Sequence, residues 1–393
     1  MLLLMPARHK YAKWRYWFCG VLAFLVLRSV TWIPGGAILP DLSAAEAEGD
    51  PVAGLHCQQG WQAYAQNPCI CMGDPFPRAA WNDPCVLKTG SKYVMYMTSS
   101  AEMPGRPPVQ PYRVISSDGV NWQLDPRTPL LGPGATDDFD CQNVETPPVV
   151  SFGGRYHMYY TGVKAGMNGP LAIGHATSPD GIKWVKDPRN PVLQATGNPQ
   201  DSCGIHAAEP GAVVLRGKVY LYFAAVGLRP GGFPPVKRVI ALAKSSDGSA
   251  FTKPQVVLEQ SDRYPAELGF DGYSTPSAAV YKNRVHLFYD VGFFAPKAEH
   301  TWTQVAIHHA MSEDGETHWV QDAKPIFTRR SFAWTSLEVR APCALFDGTT
   351  LKLWFAGNAE VKDFLPDVRS AGRTSKFGIG YATTEIHHYD GKK

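Results

Sequence analysis

Asn82-Asp83-Pro84-Cys85-Val86-Leu87 decides the fold, because the same pattern returns four more times. The later copies are Glu145-Thr146-Pro147-Pro148-Val149-Val150, Glu209-Pro210-Gly211-Ala212-Val213-Val214, Ser274-Thr275-Pro276-Ser277-Ala278-Ala279-Val280 and Arg340-Ala341-Pro342-Cys343-Ala344-Leu345. Each sets a short polar or charged residue ahead of a proline that opens an apolar run. With Asp83, Glu145, Glu209, Ser274 and Arg340 taken as equivalent, the steps are 62, 64, 65 and 66 residues. A near-constant period of that size means repeated units that share their cores by packing on one another.

Working outward, each proline run reaches a turn such as Phe152-Gly153-Gly154-Arg155, Leu215-Arg216-Gly217-Lys218 or Tyr281-Lys282-Asn283-Arg284. An alternating strand follows, for example Val219-Tyr220-Leu221-Tyr222-Phe223 or Val285-His286-Leu287-Phe288-Tyr289. Period-two alternation of β-branched and aromatic residues marks a strand with a buried face. A third strand leads into an Asp-Gly turn at Asp118-Gly119, Asp180-Gly181, Asp247-Gly248 and Asp314-Gly315, and a fourth starts near the following Trp or Phe. No stretch keeps a helical period. The expected fold is all-β: a five-bladed β-propeller of four-stranded antiparallel blades. The last repeat ends soon after its third strand, so a segment from about residue 54 to residue 70 is expected to supply the missing outer strand and close the ring.

The 393 residues, 44% of them hydrophobic and 12% aromatic, are ample for a large core. One domain over 50–387 is expected. A net charge of +3 with no basic run beyond the N-terminus argues against a nucleic-acid partner. Residues 1–45 carry Arg8, Lys10, Lys13 and Arg15 ahead of an apolar stretch, which reads as a secretory signal peptide or as an uncleaved membrane anchor. Either places the propeller outside the cytosol, secreted, periplasmic or membrane-anchored. Cys141 and Cys203 precede equivalent strands of neighbouring blades and are one candidate disulfide there. The acidic run Asp137-Asp138-Phe139-Asp140 reads as a solvated loop rather than a calcium site. No cofactor or metal is expected.

The innermost strand of each propeller blade begins at one mouth of the central channel, so Asp83, Glu145 and Glu209 are expected to converge there. Three carboxylates around a funnel suit glycoside hydrolysis: a base or nucleophile, an acid, and a third group that tunes or stabilises. Crowding raises carboxyl pKa values and keeps one protonated near neutrality. Arg340, Glu338, Ser274, Asp271, His206, Asn82 and Trp81 are the candidate substrate-binding residues, Trp81 as a ring to stack on a sugar.

On these residues the chain resembles the five-bladed β-propeller glycoside hydrolases, the superfamily of arabinanases, β-xylosidases, invertases, levansucrases and mannoside phosphorylases. The resemblance spans about residues 75 to 385. Trp81-Asn82-Asp83-Pro84 is similar to the first-blade motif of the invertase group, which implies a nucleophile at Asp83. The arabinanase-like members imply a general base there instead. Glu209 matches the invertase-group acid. The second blade departs from that group with Val144-Glu145-Thr146-Pro147, and Ser274 stands where arabinanase-like members carry their acid. The implied function is a glycosidase acting on an oligo- or polysaccharide. A phosphorylase, a transglycosylase and a non-catalytic carbohydrate-binding propeller are the alternatives.

Overall fold

The computed structural model describes residues 51–389 except 53, 72–75, 77–79, 101–107, 165–169, 233, 260–263, 265–267, 295–301 and 361–374. The expected signal or anchor at 1–45 lies outside the described residues. Among the described residues, no helix is long and apolar enough to cross a membrane. The described chain is all-β apart from short 3-10 turns.

β1 (Gln62–Ala63) precedes five groups of antiparallel strands, which single parallel pairs at Ala80–Phe377 and Arg238–Gly272 join, among the described residues, into sheets of eight, five and nine strands. The first holds β2 (Ala80–Thr89), β3 (Lys92–Ser100), β4 (Gln110–Ser116) and β5 (Gln123–Leu124). In the second, β6 (Asn143–Glu145) and β7 (Val149–Phe152) share the partner β8 (Arg155–Val163), followed by β9 (Ala172–Ser178) and β10 (Val185–Lys186). The third runs through β11 (His206–Leu215), β12 (Lys218–Leu228), β13 (Val236–Ser245) and β14 (Gln255–Leu258). The fourth has β15 (Phe270–Tyr281), β16 (Arg284–Phe294) and β17 (Trp302–Ser312), with β18 (Val320–Gln321) and β19 (Phe327–Thr328) both on β17. The fifth has β20 (Glu338–Asp347), β21 (Thr350–Glu360) and β22 (Ser375–Glu385). β1 lies antiparallel on β22, with Gln62 opposite Thr383 and Ala63 opposite Ala382. The Tyr64 N–H continues this edge by donating to the Tyr381 carbonyl at 2.9 Å.

Local sequence explains these hairpins. Between first and second strands, both central turn residues take positive φ: Gly153 and Gly154, Arg216 and Gly217, Lys282 and Asn283. That geometry matches the right-handed twist of paired strands. The Asp-Gly turns are built alike. Ser116 Oγ donates to Asp118 and accepts from the Gly119 N–H, while Asp118 Oδ1 accepts the N–H groups of Val120 and Asn121. Ser178 with Asp180, Ser245 with Asp247 and Ser312 with Asp314 repeat the device.

Each of these turns is latched to the preceding group by an aromatic side chain on its second strand. Tyr96 OH donates to the Gly181 carbonyl, Tyr159 OH to Gly248 and Tyr222 OH to Gly315, at 3.0, 2.7 and 2.7 Å. Trp354 Nε1 in the fifth group donates to the Gly119 carbonyl in the first, at 2.8 Å. The hydrophobic core lies between groups in the same way. Tyr96 shares a buried cluster with Met158, Tyr159 with Leu221, Tyr222 with Leu287, Phe288 with Phe355, and Trp354 with Met95. Large aromatic residues fill the space between successive sheets, and apolar burial at about 25 cal/mol per Å² is what holds one group to the next.

Two expectations change. Cys203 is a buried thiol whose Sγ donates to the His206 carbonyl at 3.5 Å, so its pairing with Cys141 does not form. Trp81 is wholly buried against Phe76 and Tyr112, edge to face. Its position on β2 turns it into the core between the first and fifth groups, so its ring offers no face to a sugar.

Candidate active site

One backbone irregularity builds the site. Asp83, Thr146, Glu209, Thr275 and Ala341 have φ of 52°, 50°, 52°, 43° and 47°, and each stands directly before a proline. Left-handed backbone is uncommon outside glycine. Proline has no N–H for the ladder, so strand pairing breaks there: between Asn82 and Cys85, Ala208 and Gly211, Ser274 and Ser277, and Arg340 and Cys343. The break sets the true register. Asp83 and Glu209 are equivalent to Thr146, Thr275 and Ala341, with steps of 63, 63, 66 and 66 residues. Glu145 lies one residue earlier, level with Asn82, Ala208, Ser274 and Arg340. Aligning by charge rather than by distance from the proline produced the slip.

The second strand of one group then ties down the first strand of the next. The Thr146 N–H donates to Thr98 Oγ1 at 3.0 Å, the Glu209 N–H to Thr161 Oγ1 at 2.8 Å, and the Ala341 N–H to Asp290 Oδ2 at 3.0 Å. Thr98, Thr161 and Asp290 are cross-strand partners of Asn82, Glu145 and Ser274, so all three hold one repeat position.

These straps gather the charges. Asp83 is buried, and burial pushes its carboxyl up while Arg340 and the Thr98 and Thr146 hydrogen bonds oppose the shift. Glu145 accepts from Asn143 Nδ2 at 2.9 Å. Burial, then the Asp83 charge, pushes Glu145 up to about 7. Arg340 Nη2 is 3.8 Å from Glu209 Oε1. Burial pushes Glu209 up to about 7 as well; Arg340 and Arg238 oppose this, and Asp290 and Asp83 add to it. Glu209 Oε2 and Asp83 Oδ1 are buried without a hydrogen-bond partner. Asp83, Glu145 and Glu209 thus share one electrostatic environment with Arg340. Behind Asp83 a cavity of about 300 Å³ runs between the five first strands, walled by residues such as Val86, Val149, Val213 and Ala344.

The remaining candidates spread around this cluster. Ser274 Oγ donates to Asp290, and both are fully buried. Glu338 accepts from Asn358 Nδ2 at 3.2 Å. With its amide oriented as its neighbours require, Gln304 donates to Glu338 at 3.3 Å and accepts from Arg340 Nη2 at 3.2 Å. Asp271 is sealed in an ion pair with Arg238 Nε at 2.9 Å. His206 Nδ1 accepts the Leu171 N–H at 2.9 Å, and burial, with help from Arg238, pushes its pKa down to about 3. The ring is therefore neutral, with its proton on Nε2. Asn82 is buried beside Asp83, with Oδ1 unpartnered.

Asp290, Gln304, Asn143 and Arg238 escape a reading of the sequence. Only Asp290 leaves a trace, as a carboxylate ending the apolar alternation Val285–Tyr289. Among the described residues no cluster of His, Cys, Asp and Glu is arranged to hold a metal. In the acidic run, Asp140 accepts from Tyr160 and Lys186 at 2.9 and 2.6 Å, and Asp138 accepts the Ala135 N–H at 2.7 Å.

No protein-family profile and no curated protein sequence matches the chain. Solved structures do. A thermostable family-43 glycoside hydrolase has a TM-score of 0.53 at 16% identity, over 77% of this chain and 90% of that one. The catalytic domain of the Coprinopsis cinerea GH62 α-L-arabinofuranosidase gives 0.54 at 12% identity, over 84% and 97%. A third structure comes from work on glycoside hydrolases of the GH130 mannoside phosphorylase family that target β-1,2 mannosidic linkages in Candida mannan. It gives 0.56 at 14% identity, over 82% and 93%. The fold is that of the β-propeller glycoside hydrolases. The likeness spans 77–84% of this chain and, at these identities, is one of fold alone.

Proposed function

We propose that this protein is a glycosidase acting on an oligo- or polysaccharide, in which Asp83 is the base or nucleophile, Glu209 the acid, and Glu145 the stabilising and pKa-setting carboxylate. The observation that carries the proposal is the shared environment of the three carboxyls and Arg340, with Glu145 and Glu209 both pushed up to about 7. A site of this kind keeps one carboxyl protonated at neutral pH while another works as an anion, the division of labour glycoside cleavage requires. The unpartnered buried Oε2 of Glu209 and Oδ1 of Asp83 are acceptors left unsatisfied by the protein itself, which favours a ligand partner for them. Arg340, Asn82, Ser274, His206, Glu338 and Asp271 form or back the sugar site, with His206 Nε2–H as a fixed hydrogen-bond donor.

In the same reading the scaffold is a five-bladed propeller whose N-terminal strand β1 closes the last blade. The Trp354–Gly119 latch and the β1–β22 pairing support that closure. The basic and apolar N-terminus supports a location outside the cytosol, secreted or anchored.

Phosphorolysis is the alternative reaction, and Arg340, 3.8 Å from Glu209, is the guanidinium that would meet a phosphate, since Arg238 is held by Asp271. A panel of aryl glycosides and natural oligosaccharides, assayed with and without inorganic phosphate, tests both. Turnover independent of phosphate and lost in Asp83→Asn supports hydrolysis. Turnover that requires phosphate moves the assignment to a phosphorylase. Saturable sugar binding without turnover across the panel moves it to a binding propeller.

A further inference from the structure

Thr98, Thr161 and Asp290 do the same structural work at the same repeat position: each accepts the backbone N–H of the left-handed residue in the next group. That work needs one neutral acceptor, which a threonine hydroxyl supplies twice. In the fourth group it is done by a carboxylate that is fully buried. Burying a charge where a hydroxyl suffices is unfavourable unless the charge itself has a use. The two oxygens are both engaged, Oδ1 by Ser274 Oγ and Oδ2 by the Ala341 N–H, which fixes the carboxylate plane. Arg340, the residue before the Ala341 that Asp290 straps, is the cation whose charge favours the Asp290 carboxylate, and that same guanidinium lies 3.8 Å from Glu209. Ser274 cannot bring a charge to the mouth, so the fourth group contributes one from its second strand.

We propose, resting on the glycosidase reading of this site, that Asp290 is a positioning residue whose negative charge, rather than its hydrogen bonds, governs the Glu209–Arg340 pair. Arg340 is shared between the two carboxylates, and whatever Asp290 takes of it is withheld from Glu209. The remaining charged groups acting on Glu209 are Asp83 on β2 and Arg238 on β13, and Glu145 on β6 and Glu209 act on one another. Glu338 on β20 acts on Arg340 through Gln304. Asp290 is the group among them whose backbone duty has a neutral equivalent elsewhere in the molecule, so its charge can be removed while its strap is kept.

Two variants separate charge from strap: Asp290→Asn, which keeps the shape, and Asp290→Thr, which installs the acceptor of the first two groups. Glu209 is followed by ¹³C NMR of carboxyl-labelled glutamate, assigned with Glu209→Gln, and the pH profile of kcat/KM is measured in parallel on an aryl glycoside. Both variants are expected to fold and to lower the Glu209 titration midpoint by about one pH unit, the size of a single close charge. The basic limb of kcat/KM should move down by a similar amount. An unmoved Glu209 midpoint in a folded variant overturns the proposal. Unfolding of both variants overturns it too, because the carboxylate would then be a structural strap. If the wild-type protein cleaves no glycoside but the midpoint still falls, the glycosidase reading fails and the role of Asp290 stands.

Discussion

Asp83 and Glu209 hold one backbone conformation, φ 52° in each, directly before Pro84 and Pro210. Two first strands thus hold two carboxyls on the same backbone geometry, and the strain of a left-handed non-glycine residue is kept at both. Because the backbone determines the placement, isosteric amides should remove chemistry without moving the scaffold. Asp83→Asn and Glu209→Gln are each expected to lower kcat at least about a hundredfold, with melting temperatures no lower than wild type. Aryl glycosides with good leaving groups should restore much of the rate to Glu209→Gln and little to Asp83→Asn. Full turnover in Asp83→Asn on a verified substrate would remove it from the mechanism.

The same carboxyls work against stability, and pH exposes this. Glu145 loses its proton near 4.5 in the unfolded chain and near 7 in the folded one, through burial first and Asp83 second. Between those values the folded state binds more protons, so this contribution is present below about pH 4.5 and is lost as pH rises toward 7. Glu145→Gln keeps the Asn143 hydrogen bond and lacks the charge. It should gain about 0.5–2 kcal/mol over wild type at pH 8 and almost nothing at pH 4.5. Denaturant titrations at the two pH values check the order, and a larger gain at the lower one would contradict it.

Two buried histidine chains pull the other way. His157 Nδ1 lies 2.9 Å from His175 Nε2, and His175 Nδ1 lies 3.0 Å from Asp187. His286, His309 and Asp322 repeat the arrangement at 2.9 and 2.9 Å. With the carboxylate accepting from the inner ring, the inner Nε2 must accept from the outer Nδ1–H, and a further proton sets two N–H groups against each other. Burial pushes His157 and His175 down, and His286 down to about 3. Here the unfolded chain binds the extra protons, so this part of the stability is complete above about 6.5 and falls away below it. Replacing His157 and His286 by Gln should flatten the loss of stability between pH 6.5 and 4, whatever it does at pH 7. An unchanged slope in urea titrations would count against the chains as the acid-sensitive element.

The latches between groups donate to turn carbonyls and to none of the carboxylates, and they should affect stability alone. Trp354→Phe leaves the Gly119 carbonyl without its donor, and Tyr222→Phe does the same to Gly315. Each should cost about 1 kcal/mol with kcat/KM unchanged. Trp81→Ala, by contrast, opens the core between the first and fifth groups and should cost about 3–5 kcal/mol. A Trp81→Ala protein of normal stability and raised KM would restore Trp81 as a sugar platform.

The repeat, the strand order within each group, the turns and the pre-proline positions of Asp83 and Glu209 were legible in one dimension. All of these are local: period-two alternation, Asp-Gly and Gly-Gly turn chemistry, and a proline that must interrupt a ladder act over a few residues and show in one dimension. The alignment of Glu145 failed because proline position, not charge, sets the bulge, and only the observed pairing reveals it. Trp81 was misread because the face a strand residue presents depends on the sheet packed against it. Asp290, Gln304 and Arg238 became visible only in three dimensions, since each acts on another strand, Asp290 on Ala341 51 positions away and Arg238 on Asp271 33 away, while Asn143 bonds its own strand neighbour Glu145. Which charges act on Glu145 and Glu209 needed the folded chain, because an electrostatic environment is a property of distance in space and of burial, and neither is written in the order of residues.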